Sequence, residues 1–285
     1  MILIILISVA FMTLIERKIL GILGNRLGPN KTSITGLFQP MSDAMKLGTK
    51  NIISLRNFSY KIFYIVRRLI LAVSLSTWAI LYLGASSWPT NLSCLILLIL
   101  ISLNSLISII LGWRTFRKYS LIGSLRTVRQ LISYEAPIYL CLMCLIYESK
   151  SMELSQIRNL APSRLVIISH LLILYVWASS MLAEVNRTPF DFTEGERELV
   201  RGFNTEFGSA CFTLIFLSEY SSMLIFSALS CLIFRRGELL IFLLIFTLIL
   251  WVRGVLPRYR FDKLMSTAWK GLIPGTTIIF LYEIS

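Results

Sequence analysis

The chain has 285 residues, 56% of them hydrophobic and only 15% charged, with 28 Lys and Arg against 15 Asp and Glu for a formal charge of +13. A soluble domain carries about 25% charged residues, so the composition argues against a soluble enzyme and for one integral membrane domain covering 1–285. The basic balance does not imply nucleic acid: no Lys/Arg stripe shows the aromatic interleaving of single-strand binders, and no nucleic-acid partner is expected.

Eight apolar spans follow in chain order, at about 1–15, 69–88, 92–113, 131–147, 165–183, 207–234, 239–252 and 271–284. The expected fold is all-α: a polytopic membrane protein of about eight transmembrane helices, with short amphipathic helices in the loops. The second, third, fifth and sixth spans are long enough for a ~30 Å hydrocarbon core at ~1.5 Å per residue. The other four cross if their helices continue through charged flanks such as Glu16-Arg17 and Glu135, inside protein rather than lipid. No cleavable targeting segment is visible at the start.

Charge sets the orientation. The loops at about 16–68, 114–130, 184–206 and 253–270 hold 10, 5, 3 and 5 Lys/Arg, which is 23 of the 28. The remainder are Lys150, Arg158, Arg164, Arg235 and Arg236. One-sided alternation of this kind is the positive-inside pattern, and it puts both termini opposite the basic loops. Trp88, Trp113 and Trp251 stand near span ends, as interfacial aromatics do.

Within the first basic loop, Leu37, Met41, Ala44, Met45 and Gly48 share a helical face, with Asp43, Lys46 and Lys50 off it. Pro40 suits a first turn. This is a helix lying on the membrane surface or covered by a partner. In the loop 184–206, Thr193 and Glu196 form a capping box, predicting a short helix from Glu194. Pro189 keeps Thr188 out of helical geometry.

The carboxylates carry the chemistry. Glu135, Glu184, Asp191, Glu194, Glu196, Glu198, Glu206 and Glu219 are more than half of all those in the chain. Glu219 sits within the sixth span, where a carboxylate costs ~2.5–3.5 kcal/mol unless it faces protein or water. Glu135 and Glu184 close the fourth and fifth spans on the basic side. Such a set can hold and pass protons as a hydrated relay; Glu198, with Arg201 three residues on, reads instead as a surface pair. A second group, Glu16-Arg17-Lys18 with Arg26, makes either a snorkelling anchor or a polar mouth for a lipophilic molecule with a polar head. The weakly hydrated guanidinium of Arg suits partial burial there.

Metal and redox chemistry find little footing. Cys94, Cys141, Cys144, Cys211 and Cys231 all lie in apolar runs, and the single C-x-x-C has neither a second pair nor a nearby His. His170, the only histidine, reads as a structural hydrogen-bonder. Neither a bound metal nor a covalent cofactor is expected.

Several stretches resemble a known family. They are Leu182-Ala183-Glu184, Asn186-Arg187-Thr188-Pro189-Phe190-Asp191, Glu194-Gly195-Glu196, Glu198-Leu199-Val200 and Gly202-Phe203-Asn204. With Glu16-Arg17-Lys18, Gly28-Pro29-Asn30, Ile132-Ser133-Tyr134-Glu135 and Pro257-Arg258-Tyr259-Arg260-Phe261-Asp262, they resemble the chain 1 family of mitochondrial NADH:ubiquinone oxidoreductase, respiratory complex I. The match runs over essentially the whole chain. It implies a multi-pass core subunit of the mitochondrial inner membrane, basic loops in the matrix and termini towards the intermembrane space. The resemblance further implies a ubiquinone chamber at Glu16, Arg17, Arg26, Asp43 and Phe190. The proton relay it implies runs through Tyr134, Glu135, Glu184, Asp191, Glu194, Glu196, Glu206 and Glu219. Ubiquinone would be the substrate. Flavin and iron–sulfur clusters would belong to partner subunits, and the partners would be the quinone-site subunits of the peripheral arm, neighbouring membrane-arm subunits and membrane lipid. Asn51 stands where the family commonly has Glu, and no role passes to it.

The rivals are a stand-alone proton or cation transporter, the related subunit of a membrane-bound hydrogenase, and a pure scaffold. No repeat between 1–140 and 141–285 supports the first, the loop signature argues against the second, and Glu219 against the third.

Overall fold

The computed structural model describes residues 2–50, 60–85, 92–114, 118–160, 168–191, 209–235 and 239–284. Among them there are helices and connections and no strand. The helices are α1 (Ile2–Leu23), α2 (Gln39–Thr49), α3 (Tyr60–Ala85), α4 (Ser93–Arg114), α5 (Lys118–Ser149), α6 (Leu154–Leu160), α7 (Ile168–Glu184), α8 (Ser209–Arg235), α9 (Leu239–Val255), α10 (Phe261–Thr267) and α11 (Ile273–Ile284). Three of the described stretches are long and apolar enough to cross a membrane: Ser93–Trp113, Lys118–Ser149 and Phe212–Phe234. Three shorter apolar ones are Arg68–Tyr82, Leu172–Glu184 and Leu239–Val255.

Two helices run on through charge. The apolar run of α1 continues past Glu16, Arg17 and Lys18 to Leu23 because Glu16 is buried against protein. Likewise α5 carries Glu135 in its middle. It starts at Lys118, so most of the basic loop expected at 114–130 is helix. Its opening turns bury Ser120, Gly123, Ser124 and Thr127, small side chains that let membrane helices approach closely.

The partner in that approach is α4. A Cβ added at Gly112 would collide with the Ser124 side chain. We expect Gly112→Ala to push α4 and α5 apart, an overpacking cost of about 1–3 kcal/mol. The expected readout is a lowered unfolding temperature of the solubilised protein, with Gly112→Ser no better than Gly112→Ala.

Around α5 stand α4, α7 and α11; α8 packs on α3, α1 and α9. One apolar core joins the two groups, with Tyr134, Leu145, Trp177, Met223 and Leu250 among its buried members. Between α10 and α11 the chain makes one π-helical turn, Ala268–Leu272. Leu264, Ala268, Leu272 and Thr276 are buried at four-residue steps. An α-helix at 3.6 residues per turn would carry such a stripe progressively around itself. The wider turn takes up that drift and keeps the stripe against its neighbours.

Helix ends are shaped by asparagine. After α1, Asn25 takes a left-handed φ of 51°. The Arg26 N–H donates to Gly21 O and the Asn25 N–H to Ile22 O, the Schellman closure. Asn186, φ 54°, ends α7 in the same hand. Both turns deliver an arginine, Arg26 and Arg187, just beyond the helix.

Candidate functional site

Near its basic-side end, α1 presents two charges with different surroundings. Glu16 is 3% exposed. One carboxylate oxygen pairs with the Arg253 guanidinium of α9. The other accepts a 2.5 Å hydrogen bond from the Tyr220 hydroxyl of α8. A buried carboxylate needs such company, since removing one partner of a buried pair costs about 3–5 kcal/mol. Arg17 is half-exposed and reaches outwards, its Nη1 2.7 Å from Asp43 Oδ2. The Gln39 amide donates to the other Asp43 oxygen at 3.0 Å, and the Thr32 hydroxyl donates to Gln39 at 2.9 Å.

This polar chain docks α2 on α1. It leaves the apolar face of α2 uncovered: Leu37, Met41 and Met45 are exposed, and no residue of α2 is buried. The amphipathic helix expected from the sequence is present, with Pro40 in its first turn. Arg26 lies exposed in the turn after α1, where Gly28 packs 3.1 Å (measured to an added Cβ) from Lys18 Cα.

The segment after α7 is held by buried polar contacts. The Gln130 amide of α5 donates to Ala183 O at 3.0 Å and Phe190 O at 2.9 Å. The Thr188 hydroxyl donates to Arg253 O, and the Tyr259 N–H to Pro189 O. Phe190 is buried between Tyr134 and Tyr259, with ring centroids 5.5 and 5.7 Å away. Tyr134 in turn donates to Leu264 O and bonds Thr267, just before the π turn. Asp191 meets Arg258 at 3.2 Å. Gln130→Leu should strand two buried carbonyls, at about 1–3 kcal/mol each. Its expected signature is a lowered unfolding temperature of the solubilised protein, with Gln130→Glu also lowered.

Arg187 links the two regions. Its guanidinium lies 4.8 Å from the Tyr220 ring centroid and 5.7 Å from that of Phe216, a cation–π arrangement. Its Nη2 is 3.4 Å from Glu219 Oε2. Glu219 and Glu184 both line a cavity of about 100 Å³ between α3, α4, α7 and α8. Asn104, Asn186, Ser74 and Ser218 contribute to its wall. Glu184 Oε2, Asn104 Oδ1 and Asn186 Oδ1 are buried with no hydrogen-bond partner among the described residues. Groups in that state call for a partner, and a polar cavity of this size admits water. Glu135, also buried, accepts from Tyr139 at 3.2 Å.

The expected residues therefore fall into two neighbourhoods. Glu16, Arg17 and Asp43 share the basic-side end of α1; Glu184 and Glu219 share the cavity. Tyr134 and Phe190 pack against each other, Asp191 is paired with Arg258, and Arg26 stands apart in its exposed turn. Glu194, Glu196 and Glu206, with the capping box at Thr193, lie outside the described residues. Sequence reasoning gave no role to Tyr220, Arg253 or Arg187. The available signal was charge balance: an arginine in an apolar helix needs a counter-ion, and Arg253 follows the apolar run of α9. Among the described residues no three His, Cys, Asp or Glu side chains converge as metal ligands.

Comparison with known proteins gives a consistent result. The NADH dehydrogenase family matches residues 1–284. NADH-ubiquinone oxidoreductase chain 1 of Aedes aegypti is 41% identical over 276 residues, covering 95% of this chain and 88% of the relative. Its namesake from Xenopus laevis is 40% identical over 294 residues, covering 99% and 91%. That of Lampetra fluviatilis is 37% identical over 298 residues, covering 100% and 93%.

Proposed function

Because the chain belongs to the NADH dehydrogenase family, we propose that it is the chain 1 membrane subunit of NADH:ubiquinone oxidoreductase in the mitochondrial inner membrane. In this reading it crosses the bilayer about eight times, with its termini towards the intermembrane space. It admits ubiquinone from the lipid and couples quinone reduction to proton translocation. The electron carriers belong to partner subunits of the peripheral arm, and the neighbouring membrane-arm subunits receive the response.

The observation that supports this best is the buried chain of contacts Arg253–Glu16–Tyr220–Arg187–Glu219, which ends at the cavity lined by Glu184, with the Arg17–Asp43 pair beside Glu16 on α1. In this reading a quinone with an apolar tail enters from the side near Arg17 and Asp43, where α2 docks on α1 with Leu37, Met41 and Met45 exposed. Quinone reduction takes up electrons and protons, so charge develops at the headgroup while it is transferred. In a poorly hydrated site that charge acts strongly over several ångströms. The Glu16–Arg253 pair stands where it would be felt first. Arg187, held over Tyr220, can shift its pairing with Glu219 and so alter the proton occupancy of the cavity. Tyr134, Glu135, Asp191, Glu194, Glu196 and Glu206 would extend the relay.

The test is to solubilise the native membrane gently, separate complexes by size and assay inhibitor-sensitive NADH:ubiquinone reductase. Co-migration of this chain with a large flavin- and iron–sulfur-bearing assembly is expected. Migration as a small, redox-silent species would remove the quinone roles of Glu16, Arg17 and Asp43 and favour a stand-alone transporter.

A further inference from the structure

The cavity between α3, α4, α7 and α8 has a wall whose polar groups face it almost entirely as acceptors. The hydroxyls of Ser74, Thr77, Ser108, Ser218 and Ser222 line it. Each donates its hydrogen to a carbonyl of its own helix, at 2.6–2.9 Å. Such back-bonding leaves an oxygen with lone pairs to offer and no hydrogen to give. At the end of α7 the N–H groups of two lining residues, Val185 and Asn186, are likewise given, to Met181 O and Ala183 O.

Three lining oxygens, Glu184 Oε2, Asn104 Oδ1 and Asn186 Oδ1, are buried with no donor among the described residues. Glu184 is only 8% exposed. The other lining carboxylate, Glu219, is compensated by Arg187. Glu184 is not: the charge that acts on it is the like charge of Glu135 on α5, which does not line the cavity. A buried charge calls for an opposite one. Water alone does not complete this wall. It donates two hydrogens but asks for donors in return, and the hydroxyl and N–H hydrogens here are committed. A cation asks only for oxygens. Oxygen ligands of this kind select hard ions. One uncompensated lining carboxylate matches a single positive charge, whereas divalent sites gather several carboxylates. The volume of about 100 Å³ accepts an ion with a few waters.

We propose that this cavity binds one monovalent alkali cation. Glu184 Oε2, Asn104 Oδ1 and Asn186 Oδ1 are its principal ligands, and the back-bonded hydroxyl oxygens and water complete the set. An ion of this class answers both demands of the wall at once, the unopposed negative charge and the surplus of lone pairs. Where the cavity serves the relay, the ion and a proton on Glu184 exclude each other. Binding itself depends on the wall alone and not on the quinone chemistry.

The experiment uses the native particle that contains the chain, separated by size after gentle solubilisation and kept without NADH. Equilibrium binding of radioactive sodium and potassium tracers is measured in separate runs, with choline chloride holding the ionic strength constant. For at least one of the two ions, the wild type should hold one saturable ion per particle more than Glu184→Gln, which removes the charge and keeps the size. Asn104→Leu, which keeps the charge and the volume, should weaken that binding about tenfold or more, as expected for one lost contact to a charged group. Ser218→Ala should weaken it about threefold. If Glu184→Gln or Asn104→Leu does not assemble, Ser218→Ala decides. Equal uptake of both ions by the wild type and Glu184→Gln would overturn the proposal and leave protons and water as the occupants. Undiminished affinity in Asn104→Leu or Ser218→Ala would overturn it as well, because a diffuse counter-ion near Glu184 needs no set of oxygens. No turnover is measured, so failure here leaves the quinone reading standing.

Discussion

Glu16→Gln is expected to abolish most ubiquinone-dependent turnover, by more than about a hundredfold, while NADH oxidation by an artificial acceptor in the assembled complex persists. The substitution changes one atom. It nevertheless leaves the Arg253 guanidinium partly buried without its counter-charge, at a cost of about 3–5 kcal/mol. If that strain falls on the quinone-binding conformation, about 3 kcal/mol is already about a hundredfold in rate. The pair can be separated from the charge by a second variant. Glu16→Leu with Arg253→Met removes both partners, and replacing a buried pair by apolar groups is often nearly neutral for stability. Recovered assembly without recovered ubiquinone reduction would assign the pair to the chemistry. Recovery of both would make the pair purely structural, and equal loss of artificial-acceptor activity in well-assembled Glu16→Gln would count against the reading.

The second large effect is expected at Glu219. Glu219→Gln keeps an oxygen able to accept from Arg187 and keeps the lining of the cavity, but it cannot take up or release a proton. Protons translocated per NADH oxidised should fall by about half or more, with coupled turnover reduced about tenfold, corresponding to ~1.4 kcal/mol. Artificial-acceptor activity should remain. The check is the acidification or membrane-potential response of proteoliposomes beside NADH consumption. Arg187→Lys sharpens it: the lysine retains the charge and loses the planar stacking on Tyr220 and Phe216. An unchanged proton yield in Glu219→Gln would remove this residue from the relay.

Much of this architecture was legible in the chain itself. Long runs of apolar residues announced the helices, because a membrane helix must satisfy its backbone internally, and no turn chemistry interrupts those runs. The helix of α2 was visible from the spacing of Leu37, Met41 and Met45. The pairing of its polar side with Arg17 was not, because Arg17 and Asp43 are 26 positions apart and nothing local couples them. Boundaries failed where charge masked helix. Residues 118–130 carry Lys118, Arg126 and Arg129, which read as loop by hydropathy. The small residues Ser120, Gly123 and Ser124 between them were the sign of packing. Glu16, Glu135, Glu184 and Glu219 stood out in the sequence because each interrupts or closes an apolar run. Tyr220, which bonds Glu16, and Gln130 and Thr188, which bond backbone carbonyls, are ordinary residues whose importance arises only from the contacts the fold creates.

The wide turn at Ala268–Leu272 has a consequence for how this region can change over generations. It stores one surplus residue, so the stretch from Phe261 to Ile284 behaves as a vernier with two scales, the stripe meeting Tyr134 before it and the stripe buried beside α5 after it. Substitutions along either scale can be absorbed singly. Loss of one residue would convert the turn to an ordinary one and rotate everything beyond by about 100°, carrying Thr276 and Ile279 off their seam. Length, more than identity, is the inherited constraint here.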